Sequence, residues 1–179
     1  CKISIDTPVV PNFLSRGLVN VKNNILVIGK VANKLEFNLS KDFASVIDNK
    51  NSDTHEKVGD VKREIAGMGS NIVYGLTVLG TKPILVSQVG RDFDCFYKPY
   101  FDNLGVELKL FYDNDKESAC LYYLTDESNH LVILQQNNSY TYLAEKSLKE
   151  KSLLNDTSDY SVVFVGTGKV EADVKFLSE

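Results

Sequence analysis

Ile65-Ala66-Gly67-Met68-Gly69-Ser70-Asn71-Ile72-Val73-Tyr74-Gly75-Leu76-Thr77-Val78-Leu79-Gly80 reads as a tight glycine turn that opens directly into a helix. Gly67 and Gly69 lack a Cβ, so the backbone there can take positive φ and admit a ligand at close range. Ser70 or Asn71 is placed to cap the amides that follow. Ile72, Val73, Leu76 and Leu79 recur at helical spacing, and Gly80 falls where a C-terminal stop belongs. Such a turn offers bare N–H groups and the Asn71 side chain to a polar ligand. Equally, two glycines can simply begin an ordinary packed helix.

Buried-type strands flank this turn on both sides. Ile25-Leu26-Val27-Ile28-Gly29 is a continuous apolar run ending in glycine, as a strand covered on both faces requires. Ile84 to Val89 is a second buried-type strand and leads into Gly90-Arg91-Asp92, while Ser161 to Gly166 is a third and leads into Thr167-Gly168. Segments 35–39, 58–65 and 106–124 alternate more and predict a smaller sheet with one wet face. Residues 119–124 and 130–134, flanking Thr125 to Asn129, predict a hairpin. Pro99 cannot sit inside a helix without losing a hydrogen bond and crowding the turn before it, so the helix before Leu104 is expected to start near Lys98. Tyr142 to Leu154 predicts a further helix, and Glu171 to Leu177 the start of another. Strand runs separated by helical patterns mean an α/β fold with a mainly parallel sheet.

The order of these elements resembles the N-terminal part of the ribokinase/PfkB family of ATP-dependent sugar and nucleoside kinases. The residues that carry the likeness are the glycine turn with Asn71, Leu79-Gly80, the strand into Val89-Gly90-Arg91-Asp92, and Leu104-Gly105-Val106; it spans roughly residues 25–168. The resemblance implies a ribokinase-like three-layer sandwich whose smaller sheet forms a lid over the substrate. Residues 1–22 are then an N-terminal extension and 23–179 a partial domain, with the lid strands within 35–39, 58–65 and 106–124.

Ligands of open α/β sheets bind beyond the carboxyl ends of the strands. The candidate substrate-binding residues are therefore Asn33, Lys34, Gly67, Gly69, Asn71 and Thr167, around a small polyol, sugar or nucleoside. Asp92 either faces that ligand or caps its own turn, and Thr167 either donates to the ligand or satisfies its own loop. The family's substrate-gripping Asp corresponds to Lys34 or Asn33. A lysine only donates where a carboxylate accepts, so the substitution departs from the pattern. Ala66 departs too, standing where the family usually has the first glycine of the turn, as does Asp94 or its neighbour, where a later Asp-x-x-Gly usually has glycine. The family's Asp-Thr-x-Gly-Ala-Gly-Asp motif, with its anion hole and base, has no counterpart here; Asp53 to Asp60 is similar only superficially. No catalytic residue and no metal ligand is assigned, and His55 and His130 read as isolated. ATP and Mg²⁺ are expected for a complete family member and are not supported by this chain alone. A catalytically silent relative kept as a binding or scaffold subunit is the alternative.

Composition narrows the remaining classes. The 179 residues are 43% hydrophobic and 25% charged, as in a soluble globular domain. A net charge of −4 with no basic block argues against nucleic-acid binding, and no apolar run approaches the roughly 20 residues that span a bilayer. Three scattered cysteines, Cys1, Cys95 and Cys120, suit reduced thiols and a cytoplasmic protein. Cys1 in place of an initiator Met reads as a processed or partial chain. An uncovered lid sheet would invite a homodimer, or a larger assembly for a scaffold.

Overall fold

Apolar runs that end in or beside glycine line up as one sheet. The computed structural model describes residues 24–47, 58–139 and 160–166, with Glu171, Asp173, Val174 and Ser178. In chain order its elements are β1 (Ile25–Gly29), β2 (Ala32–Asn38), α1 (Phe43–Ile47), β3 (Lys62–Ala66), α2 (Met68–Val78), β4 (Ile84–Gly90), α3 (Phe93–Phe96), α4 (Lys98–Leu104), β5 (Glu107–Asp113), β6 (Ala119–Thr125), β7 (Leu131–Gln136) and β8 (Val162–Gly166). The main sheet has the order β5-β4-β1-β8 and is parallel throughout. β1 and β4 lie inside it, which is why their sequences are apolar on both faces.

One face of the sheet carries the helices. Val27, Val31, Leu85 and Val89 meet Val73 of α2 and Phe93, Tyr97, Phe101 and Leu104 of the α3–α4 pair. The Phe93 ring stacks on Tyr97 at 5.6 Å and on Phe101 at 6.0 Å. Pro99 falls in the first turn of α4, where its missing N–H costs nothing, and the single turn of α3 precedes it. Gly80, at φ 82°, ends α2; its amide donates to Thr77 O and the Thr81 amide to Leu76 O, a paired closure that uses up the last carbonyls.

The second sheet, β3-β2-β6-β7, is mixed: β2 pairs antiparallel with β3 and parallel with β6, and β6–β7 is the expected hairpin. Its first rung is Ala66–Ala32–Ala119, which packs with Leu26, Ile28 and Val86 on the other face of the main sheet. Three methyl-sized side chains let the lid root close against β1. Two corrections follow. Residues 107–113 belong to the main sheet and not the lid; β5 is its edge strand, where Leu108 to Phe111 are only half-buried and the polar Glu107 and Lys109 are accommodated among apolar residues. β3 begins at Lys62, and Val58 makes only an isolated bridge to Leu39. The expected helix at 142–154 and extension at 1–22 lie outside the described residues. Among those described, no helix is long and apolar enough to cross a membrane.

Candidate functional site

The glycine turn meets the tip of β1 through backbone alone. Gly67 is the N-cap of α2 at φ 99°, a conformation that only glycine takes without strain. The Lys30 carbonyl lies where its Cβ would be, and that same carbonyl accepts the Gly69 amide at 3.0 Å. A Cβ on Gly69 would stand 2.8 Å from the Gly29 carbonyl carbon and oxygen, and one on Gly29 would stand 2.9 Å from Gly69 Cα. Gly29 is in register with Gly166 of β8, against which the Met68 side chain rests. The approach that both glycines permit is thus used by the chain's own backbone. It seats the helix start between two strand tips.

Of the residues named from sequence, the structure brings Gly67 and Gly69 to this junction and leaves Asn71 exposed one turn into α2. Ser70 and Asn71 do not cap. Both lie inside the helix, because Gly67 takes the N-cap position, and no side chain there bonds an amide. Asn33 and Lys34 are the second and third residues of β2, so they point to opposite faces of the lid. Thr167 lies outside the described residues.

Lys34 is not free to meet a ligand as a bare cation. Its Nζ sits 2.9 Å from Glu36 and 3.0 Å from Glu64, across the β2–β3 register, and 4.9 Å over the Tyr123 ring. Hydrogen bonding to Glu36, ahead of the opposing desolvation and of Glu64, holds its pKa above the ordinary lysine value. Glu64 is correspondingly held low, first by Lys62 and then by Lys34. Strand alternation could have flagged Glu36 as a partner; Glu64 is 30 positions away and needs the register.

Asp92 takes the N-cap position of α3 but its side chain makes no cap bond there. Its Oδ1 accepts the Ser118 amide at 2.7 Å, while Ser118 Oγ accepts the buried Gly90 amide at 2.9 Å. A Cβ on Gly90 would collide with Glu117 and Ser118 backbone, so the β4 tip is docked on the start of β6. His130 is not isolated either. Its ring Nδ1 is 3.0 Å from Asp126 Oδ2, and Asp126 also accepts the amides of His130 and Phe43. Burial pushes the Asp126 carboxyl up, but those three donors outweigh it and hold the pKa low. Asp42, Asp126 and His130 form the one metal-ligating type of cluster among the described residues, at the lid end remote from the Ala32–Ala66–Ala119 rung.

A parallel sheet whose helix-starting glycine turn lies at the strand tips, beneath a lid sheet rooted in the same strand, is the architecture of ribokinase-type small-molecule kinases. The comparisons agree. The nucleoside kinase of Methanocaldococcus jannaschii is 27% identical over 124 residues, 68% of this chain and 39% of that protein. Its crystal structure, an archaeal member of the ribokinase family, superposes with a TM-score of 0.69 at 23% identity over 86% of this chain and 47% of that one. Burkholderia thailandensis nucleoside kinase in complex with inosine gives 0.59 at 20% over 87% and 48%. Cryptococcus neoformans ribokinase in complex with ADP gives 0.62 at 17% over 82% and 41%. The profile of the pfkB family carbohydrate kinases matches residues 22–164, and the chain belongs to that family. It spans less than half the length of each of these relatives.

Proposed function

We propose that this chain is the substrate-binding portion of an ATP-dependent kinase that phosphorylates a hydroxyl of a nucleoside or sugar. The observation that carries the reading is the convergence of the glycine turn, the β1 tip and Gly166 beneath the lid root. This is the carboxyl-end position where α/β sheets take ligands. Asn71 is the exposed amide at that place, and Asn33 on β2 adds a further donor and acceptor for a polyhydroxylated ligand; Thr167, the other candidate from sequence, lies outside the described residues. The neutral substrate class follows the inosine complex of the Burkholderia enzyme. Gly67 and Gly69 serve the site by fixing the helix start rather than by touching the ligand.

ATP as donor and Mg²⁺ as its companion belong to the complete enzyme. The Asp42–Asp126–His130 cluster does not fit Mg²⁺ at the strand tips, because it lies at the other end of the lid. Phosphoryl transfer depends on positioning and on charge neutralisation, and residues 67–71 offer the positioning half of that task.

The second reading, a catalytically silent binding or scaffold subunit, is favoured by Lys34. Lys34 or Asn33 stands at the position that the family resemblance gives to a hydroxyl-accepting Asp, and Lys34 is already paired with two carboxylates. Titration calorimetry of the chain with inosine, adenosine and ribose separates the two. The kinase reading expects a ligand whose affinity falls about tenfold on Asn71→Ala, the loss of a hydrogen bond to a bound polar group. Affinity untouched by that substitution, or no binding at all, favours the scaffold.

A further inference from the structure

Lys30 is the charged group at this strand tip that the reading above leaves unused. It follows Gly29 directly, and its carbonyl abuts the glycine turn through the Gly69 amide. Its ammonium reaches the lid side, where Asn137 Oδ1 lies at 3.4 Å; that oxygen also accepts from Gln135 Nε2 at 2.6 Å. Lys34 supplies the contrast. Two carboxylates surround Lys34, whereas Lys30 has no carboxylate within ion-pair distance among the described residues. Partial burial pushes the Lys30 pKa down, with no opposing charge to offset it. An ammonium partly withdrawn from water without an anion is disfavoured, and part of that cost is recovered when an anionic group arrives.

The turn beside it is electropositive for an independent reason. α2 is 11 residues long, has no side-chain cap, and carries no acidic residue in its first turn. Its amide end keeps an uncompensated partial positive charge. Within that turn Ser70 is 2% exposed, and its Oγ has no hydrogen-bond partner among the described residues. A buried hydroxyl without a partner is uncommon unless something else completes it.

We propose that a ligand bound at this tip carries an anionic group, phosphate or carboxylate, which the Lys30 ammonium receives beside Asn137. The inference rests on the reading that residues 67–71 floor a ligand site, and it adds the charge of the ligand. The group belongs either to the acceptor substrate or to the phosphoryl donor.

Calorimetric titrations with ribose, ribose 5-phosphate and magnesium-free ATP separate these sources, using the unaltered chain, Lys30→Gln, Lys30→Arg and a remote charge control, Lys98→Gln. The expected result is that one phosphate-bearing ligand binds at least tenfold more tightly than ribose. Lys30→Gln should lower that ratio about tenfold, the scale of one charge-assisted hydrogen bond, while Lys30→Arg and Lys98→Gln keep it. Dependence seen with ribose 5-phosphate assigns the anion to the substrate, and dependence seen with ATP assigns it to the donor. A ratio near one, or a ratio that Lys30→Gln leaves unchanged, overturns the proposal. Neutral ligands that bind through Asn71 with no Lys30-dependent preference would sink this inference alone. Lys30-dependent binding without any effect of Asn71→Ala would instead sink the neutral-substrate reading.

Discussion

Alanine at Gly69 and alanine at Gly75 should move stability in opposite directions, although both glycines lie in α2. In a helix interior, replacing Gly by Ala stabilises by about 0.5–1 kcal/mol, through the entropy lost from the unfolded chain. At Gly75 that gain is unopposed, since an added Cβ meets nothing within 4 Å. At Gly69 the Cβ would stand 2.8 Å from both the carbonyl carbon and oxygen of Gly29, backbone held in the sheet by parallel pairing to β8. Neither atom can rotate aside, so the helix start must lift from the strand. Overpacking of this kind costs typically ~1–3 kcal/mol, and rigid backbone on both sides puts it in the upper part of that range. Lifting also stretches the 3.0 Å bond from Gly69 N to Lys30 O. After the propensity gain is subtracted, Gly69→Ala should lose about 1–3 kcal/mol. Urea unfolding followed by circular dichroism measures both variants, with an unchanged slope confirming that the folded state itself shifted. Equal effects of the two substitutions, or a stabilised Gly69→Ala, would refute the claim that this turn is glycine because of Gly29.

Two further substitutions test how the lid is tied down. Ser118→Ala removes the acceptor of the buried Gly90 amide and should cost about 1–3 kcal/mol, with faster hydrogen exchange at Gly90; a loss below about 0.5 kcal/mol would mean water replaces the hydroxyl. Asp126→Asn should lower the urea midpoint at pH 7 and cost progressively less as pH falls below about 4. The low folded-state pKa of Asp126 stabilises the fold above the ordinary carboxylate range, about 4, and that contribution disappears as pH falls through the folded value. The same penalty across that pH range would show that the Asp126 charge is not what holds Phe43 and His130.

What the sequence made legible follows from how local each signal is. β1 and β4 were readable because burial on both faces leaves a largely apolar run, and the stop at Gly80 because a left-handed residue is a local requirement. β8 carries the same apolar pattern but was misread as buried: it is an edge strand whose Val162, Val163 and Phe164 are exposed among the described residues. β5 was misplaced for an instructive reason. An edge strand of the main sheet alternates like a lid strand, and only the pairing of Leu85 with Leu108 distinguishes them. Gly67 and Gly69 were expected to admit a ligand at close range; the atoms that approach them are backbone of Lys30 and Gly29, some 40 positions earlier, which no local pattern reveals. Lys34 suffered the same limit, since its partner Glu64 enters through strand register. Lys30 was within reach. A charged residue immediately after a doubly buried strand has to emerge at the strand tip, on the side where such sheets bind ligands. The departures from the family pattern therefore take on a common physical sense. Lys34 is neutralised by Glu36 and Glu64, whereas four residues before it Lys30 has no carboxylate within ion-pair distance among the described residues. Under the two proposals above, the glycine turn positions a small molecule and Lys30 gives that position a charge suited to an anion.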